Sequence, residues 1–228
     1  MKESEIKAAT SNFWETYFQT SFVFDSRRDL IWKEVCRFLQ KKYIPADSKI
    51  LDLGAGYCNF INNIQGREKH AVDIFSKLPE YASQDVIIHH QSCLNLKNLN
   101  DNYFDVIFAS NLLEHLTRED LLQLLPELRR ILRDNGKLIV LQPNFRYCYK
   151  TYFDDYTHLQ IFTDRSLSEL LEASGFSIID IKPRFLPVNM KSTLKFTLPK
   201  LHLIVRFYLN SPIKPLAAQM LIVAGKIK

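Results

Sequence analysis

From residue 48 onward, short apolar runs rich in Val, Ile and Leu alternate with longer amphipathic stretches. Lys49–Leu53, Ala71–Ile74, Val86–His90, Val106–Ser110 and Leu138–Leu141 are the runs, each short enough for a strand and too continuously apolar for a half-exposed one. The clearest helix between them is "REDLLQLLPELRRILR", Arg118 to Arg133. Its leucines at 121, 122, 124, 125, 128 and 132 make one broad stripe, Thr117 precedes it as N-cap, and Asn135-Gly136 ends it. A second helix, "RSLSELLEASG", starts at Thr163 or Asp164 and closes at Gly175; "FSIIDIKPR" and "MLIVAGKIK" then read as two further strands. Strands alternating with helices require crossover connections. The pattern therefore predicts an α/β fold: a Rossmann-like, doubly wound, seven-stranded, mainly parallel sheet with helices on both faces.

The same reading divides the chain into a helical N-terminal cap (1–46), a core (47–182), a basic insertion (183–216) and the last strand (217–228), together one domain. The cap carries two apolar stripes, in "SNFWETYFQTSF" and "RRDLIWKEVCRFLQKKY". The net charge of +5 is unevenly placed: residues 181–228 hold nine Lys or Arg and no Asp or Glu, leaving 21 basic against 25 acidic groups in residues 1–180. A cationic end of this kind suits an anionic partner: a lipid headgroup surface, a phosphorylated substrate or nucleic acid. Leu, Ile, Phe and Tyr interleave with the cations over residues 191–214, so the segment reads as a peripheral membrane contact or as a homodimer contact. No secretory signal or membrane span is expected, and four scattered cysteines without a C-x-x-C pair fit reduced thiols, so the expected location is cytoplasmic, with peripheral contact at the inner membrane face. The six histidines show no metal-ligand spacing along the chain, and no metal centre is expected.

In an open α/β sheet, ligands bind beyond the carboxyl ends of the strands. The first strand ends in Asp52-Leu53-Gly54-Ala55-Gly56, and the second in Asp73, 17 residues past Gly56. Glycines let a backbone turn tightly against a ligand, and an acid at the next strand end accepts hydrogen bonds from ribose hydroxyls. Asn59 stands where a dinucleotide turn places a third glycine, which argues against a nicotinamide-dependent reductase.

Taken in order, "LDLGAG", "HAVDIF", "FDVIFASNLLEHL", "NGKLIVLQPN" and "QMLIVAGK" resemble the class I S-adenosylmethionine-dependent methyltransferases over residues 45–182 and the last strand. The resemblance implies S-adenosyl-L-methionine as cofactor. It places Asp52 near the methionine amino group, Gly54, Ala55 and Gly56 along the methionine and ribose, Asp73 on the ribose hydroxyls, Ile74 on the adenine, and Asn111 and Leu112 beside the methionine. After the third strand the family often carries an acid for the adenine amino group. This chain has "HQSCLNL", so Ser92 or Cys93 must serve. There is no N/D-P-P-Y/F signature and no Pro-Cys pair, which argues against nucleic-acid bases as acceptors. The segment "QPNFRYCYKTYFDDYTHLQIFTDRSL" and the downstream "KPRFLP" resemble a bacterial subgroup linked to polysaccharide and lipid-linked glycan biosynthesis. The implied reaction is O-methylation of a glycan, lipid-linked or small-molecule acceptor. His115 and His158 are the candidate bases, with Asp155 as orienter or alternative base. A non-catalytic cofactor-binding scaffold with the same fold is the alternative from another class.

Overall fold

The computed structural model describes residues 13–14, 16–17, 20, 23–187 and 201–227. Most of the expected first cap helix and residues 188–200 of the basic insertion lie outside the described residues; residues 13–14, 16–17 and 20 are helical. The remaining elements run in the order α1 (Arg27–Lys42), β1 (Lys49–Leu53), α2 (Asn59–Asn63), β2 (Glu68–Asp73), α3 (Leu78–Tyr81), β3 (Val86–His90), β4 (Phe104–Ser110), α4 (Arg118–Ile131), β5 (Leu132–Pro143), α5 (Phe145–Cys148), α6 (Asp164–Ala173), β6 (Phe176–Pro187), α7 (Leu201–Asn210) and β7 (Ala217–Lys226). Two single 3-10 turns, Leu113–His115 and Tyr152–Asp154, follow β4 and α5.

The strands form one seven-stranded, mainly parallel sheet, as the alternation predicts, and its order is β3-β2-β1-β4-β5-β7-β6. β1 to β5 are parallel, while β7 runs antiparallel to both β5 and β6. The order in which strands are added reverses between β1 and β4, the switch point beside which open α/β sheets bind ligands. Alternate side chains serve opposite faces. Ile139, Leu141, Leu221 and Val223 face a core built with Trp32, Val35 and Leu39 of α1 and Phe60 of α2. Leu138, Val140, Ile222 and Ala224 face a second core with Leu124 and Leu128 of α4 and Leu167 and Leu171 of α6.

Several boundaries differ from the sequence reading. α4 stops at Ile131 rather than Arg133, because Leu132 is already extended and pairs with Phe104. Leu122 leaves the expected stripe and is 61% exposed. Pro126 is exposed on the same face, so the helix carries its missing N–H on the solvent side. β2 begins at Glu68, three residues early, since its polar start is paired: Glu68 lies 3.4 Å from Lys49 Nζ, and Lys69 2.7 Å from Asp85. The N-caps are as expected, and each closes a reciprocal box, Thr117 with Asp120 and Thr163 with Ser166. Within the basic segment, α7 is anchored to α1: Arg206 donates to both oxygens of buried Glu34 at 2.8 and 3.0 Å. No helix among the described residues is long and apolar enough to cross a membrane.

Candidate active site

The turn after β1 is built around one carboxylate. Gly54 (φ +74°) and Gly56 (φ +50°) take left-handed backbone conformations that side chains rarely adopt. The N–H groups of Gly54 and Ala55 donate to the Val72 carbonyl at 2.9 and 3.2 Å, lashing the turn to β2. Gly56 N–H donates to Asp73 Oδ2 at 2.7 Å, and Phe75 N–H to Asp73 Oδ1 at 2.8 Å. Asp73 thus joins two loops while each oxygen keeps a lone pair for a further donor. Burial pushes the Asp73 carboxyl upward despite these N–H groups. Asp52, one strand over, is held well above the usual carboxylate range by burial first and by the charge of Asp73 second. Two neighbouring buried carboxyls of this kind make the crevice receptive to a cation and to hydroxyl donors.

Around them, Ile74 at the end of β2 is 41% exposed. Ser92 Oγ accepts the Leu94 N–H at 3.2 Å, and burial pushes the Cys93 thiol up to about 12. Asn111 (φ +48°) uses its side-chain carbonyl to accept from Gln219 Nε2 at 2.8 Å, a tie to β7 that sequence could not show. Leu112 lies directly on the glycine turn: a Cβ built on Gly54 would stand 3.0 Å from Leu112 Cδ1. The loop after β4 and the loop after β1 are therefore in contact.

That β4 loop continues into Leu113–His115, where a second group of titratable residues gathers. The His115 and His158 rings lie 4.9 Å apart between centroids. Asp155 does not touch His115; Thr157 stands between them. The Thr157 hydroxyl donates to Asp155 Oδ1 at 2.5 Å, so it accepts from His115 Nδ1 at 2.9 Å. His158 Nδ1 lies 2.7 Å from the Tyr152 carbonyl, which can only accept. Both imidazoles therefore carry the proton on Nδ1 and present Nε2 as the basic nitrogen. Burial, helped by neighbouring His158, pushes His115 down to about 4, so it is neutral at pH 7. The Asp155 carboxylate, opposed by burial, is nonetheless held below its usual range by hydrogen bonds from Thr157 and Tyr17. Tyr17 reaches in from the N-terminal segment, its hydroxyl 2.8 Å from Asp155 Oδ2.

Glu114 is the residue whose setting sequence reading missed. Its side chain is 0% exposed, neither carboxylate oxygen has a partner among the described residues beyond its own backbone N–H, and burial pushes its pKa to about 8. Its donor atoms and those of His115 and His158 all lie within 4.8 Å of one another. The histidine count missed this grouping because His158 arrives 43 positions after His115, on a loop pinned by the Leu159 and Gln160 N–H groups to the Glu114 carbonyl at 2.8 and 3.0 Å. Tyr17 and Thr157 carried no sequence signal either; the one visible hint was an acid inside the apolar run "LLEHL".

A family model described as "Methyltransferase domain" matches residues 24–181. The chain belongs to this family. The family, and the fold shared with solved S-adenosylmethionine-dependent methyltransferases, support S-adenosylmethionine as the cofactor. Among curated proteins it is 31% identical over 154 residues to an uncharacterised protein of Methanocaldococcus jannaschii, covering 66% of this chain and 64% of that one. It is 29% identical over 102 residues to a phosphoethanolamine N-methyltransferase of Plasmodium falciparum, covering 41% and 38% of the two chains. The methyltransferase-domain chain thus matches less than two thirds of either relative's length. A solved structure with the same fold is the 1,6-didemethyltoxoflavin-N1-methyltransferase of Burkholderia thailandensis with bound 1,6-didemethyltoxoflavin and S-adenosylhomocysteine. It has a TM-score of 0.62 and 16% identity, covering 100% of this chain and 92% of that one.

Proposed function

We propose that this methyltransferase-domain protein moves a methyl group from S-adenosylmethionine to a hydroxyl oxygen of a glycan, lipid-linked or small-molecule acceptor. The observation that carries the reading is the contact between the two loops: Leu112 lies on Gly54, three residues ahead of His115. A cofactor along the glycine turn and an acceptor over the histidines would then be neighbours. Asp73 takes the ribose hydroxyls with its remaining lone pairs, and Asp52 faces the methionine ammonium, whose charge relieves the two buried carboxyls. Gly54, Ala55 and Gly56 leave room for the cofactor backbone, Ile74 packs on the adenine, and Ser92 or Cys93 meets its edge. Asn111 and Leu112 bound the methionine side.

S-adenosylmethionine, when bound, supplies a methyl group on an already activated cationic sulfur. What remains for the protein is to align the acceptor, exclude water and accept a proton. The Nε2 edges of His115 and His158 are the acceptors for that proton, and Asp155 acts on His115 through Thr157 as a positioning residue. For the basic segment we propose peripheral contact with anionic lipid, supported by exposed Ile204, Phe207 and Ile213 beside Lys214 on the described part, residues 201–214. Sedimentation with liposomes tests it, and binding that ignores anionic lipid would point instead to homodimer contact.

The test of the main reading is incubation with methyl-labelled S-adenosylmethionine and matched hydroxyl and amine acceptors, including sugars and lipid-linked glycans. Label on an oxygen is the expected result. Label only on nitrogen, the acceptor type named for the P. falciparum relative, would overturn the oxygen assignment. Cofactor binding without transfer to any acceptor would favour the scaffold reading.

A further inference from the structure

We infer that Glu114, His115 and His158 form a binding site for one divalent first-row transition-metal ion. Two imidazole nitrogens and one carboxylate, donor atoms within 4.8 Å of one another, are a ligand set suited to zinc or ferrous iron with coordination positions left open. A tetrahedral ion with ligands at about 2.1 Å sets its donors about 3.4 Å apart, so small side-chain rotations close the cluster.

Two independent observations point the same way. The first is Glu114, 0% exposed, with no partner for either oxygen among the other described residues. A buried polar group without partners is costly, and a cation is the partner that satisfies a carboxylate. The second is the outer layer: His115 Nδ1 is held by the hydroxyl and carbonyl of Thr157, and His158 Nδ1 by the carbonyl of Tyr152. Carbonyl and hydroxyl partners on Nδ1 fix the tautomer and leave Nε2 as the nitrogen with a lone pair, the arrangement by which metal-ligating histidines are oriented. The loop bearing His158 is also pinned to the Glu114 backbone, so the ligands are arranged before any ion arrives. With an ion bound, the two imidazole lone pairs belong to it, and the ion would hold the acceptor oxygen and ease loss of its proton in place of the imidazole base. That use rests on the methyl transfer proposed above, whereas the binding itself does not.

The full chain, stripped with chelator, is titrated with Co²⁺ and with Zn²⁺ and followed by visible absorption and elemental analysis after dialysis. About one equivalent per chain is expected, with d–d bands and without a sulfur-to-cobalt charge-transfer band. His158→Gln and Glu114→Gln should each weaken binding more than tenfold, and Thr157→Val ten- to a hundredfold through loss of the outer-layer contact. His89→Gln should bind like the parent. Binding that is absent, unchanged in all these variants, or accompanied by the sulfur band overturns the site. Circular dichroism melts report folding; should Glu114→Gln fail to fold, the parent chain, His158→Gln and Thr157→Val still decide. Calorimetry with S-adenosylhomocysteine on the same samples tests the cofactor reading separately.

Discussion

Replacing Asp73 tests whether it recognises ribose or only builds the turn. Its carboxylate accepts two backbone N–H groups, from Gly56 at 2.7 Å and from Phe75 at 2.8 Å, and the residue is buried. Asp73→Ala leaves both donors unpaired, and at about 1–3 kcal/mol each the folded state should lose about 2–6 kcal/mol. Weaker cofactor binding in that variant alone proves nothing, because a collapsed turn would weaken it too. A ligand change separates the two. If the two ribose hydroxyls each donate to the carboxylate, these charge-assisted bonds contribute about 1.5–3 kcal/mol apiece, together about 3–6 kcal/mol. The 2′,3′-dideoxy analogue of S-adenosylhomocysteine should then bind the parent protein about 10²- to 10⁴-fold more weakly than the parent ligand does. In Asp73→Ala the two ligands should bind alike, because the acceptor is gone. Titration calorimetry on both proteins with both ligands completes the cycle. An equal deoxy penalty in both proteins would refute the ribose assignment, leaving Asp73 as a turn-building residue.

Removing the Thr117 side chain breaks the reciprocal box that starts α4, and Thr117→Ala should lower stability by about 1 kcal/mol in urea unfolding with an unchanged m-value. Leu128 is 0% exposed between α4 and the sheet, so Leu128→Ala should cost about 2–5 kcal/mol by the same measurement. Burial, then neighbouring His70, holds His89 below its ordinary 6.5, so on acidification the unfolded chain binds the proton first. The stability this contributes is present above pH 6.5 and lost as pH falls below it; His89→Gln should flatten the melting-temperature profile there. Glu34 bridges Arg37 and Arg206 from a buried position, and Glu34→Ala should cost about 1–3 kcal/mol, the bridge arginines being half exposed. Faster amide exchange confined to α7 would check that it acts there.

What sequence made legible follows from which interactions are local. Strand identity is local, since runs such as "KILDL" and "LIVL" are apolar on both faces only when both faces are covered. The order of such runs with the intervening helices predicts the sheet observed. The caps at Thr117 and Thr163 are local as well, because each box closes within three residues. Glu68, Lys69 and His70 were illegible as strand because their partners, Lys49, Asp85 and His89, come from other strands or loops. The same division runs through the candidate site. Asp52, Gly54, Gly56 and Asp73 form a pattern because one turn and the next strand end determine it. Glu114, Tyr17 and Thr157 form none, because their setting depends on three segments meeting: the N-terminal cap, the loop after β4 and the loop after β5. A buried carboxyl without a partner is a property of that meeting. Residue types at fixed spacing therefore carry the proposed cofactor half of the site, while the proposed acceptor half has to be read from what the folded loops leave unsatisfied.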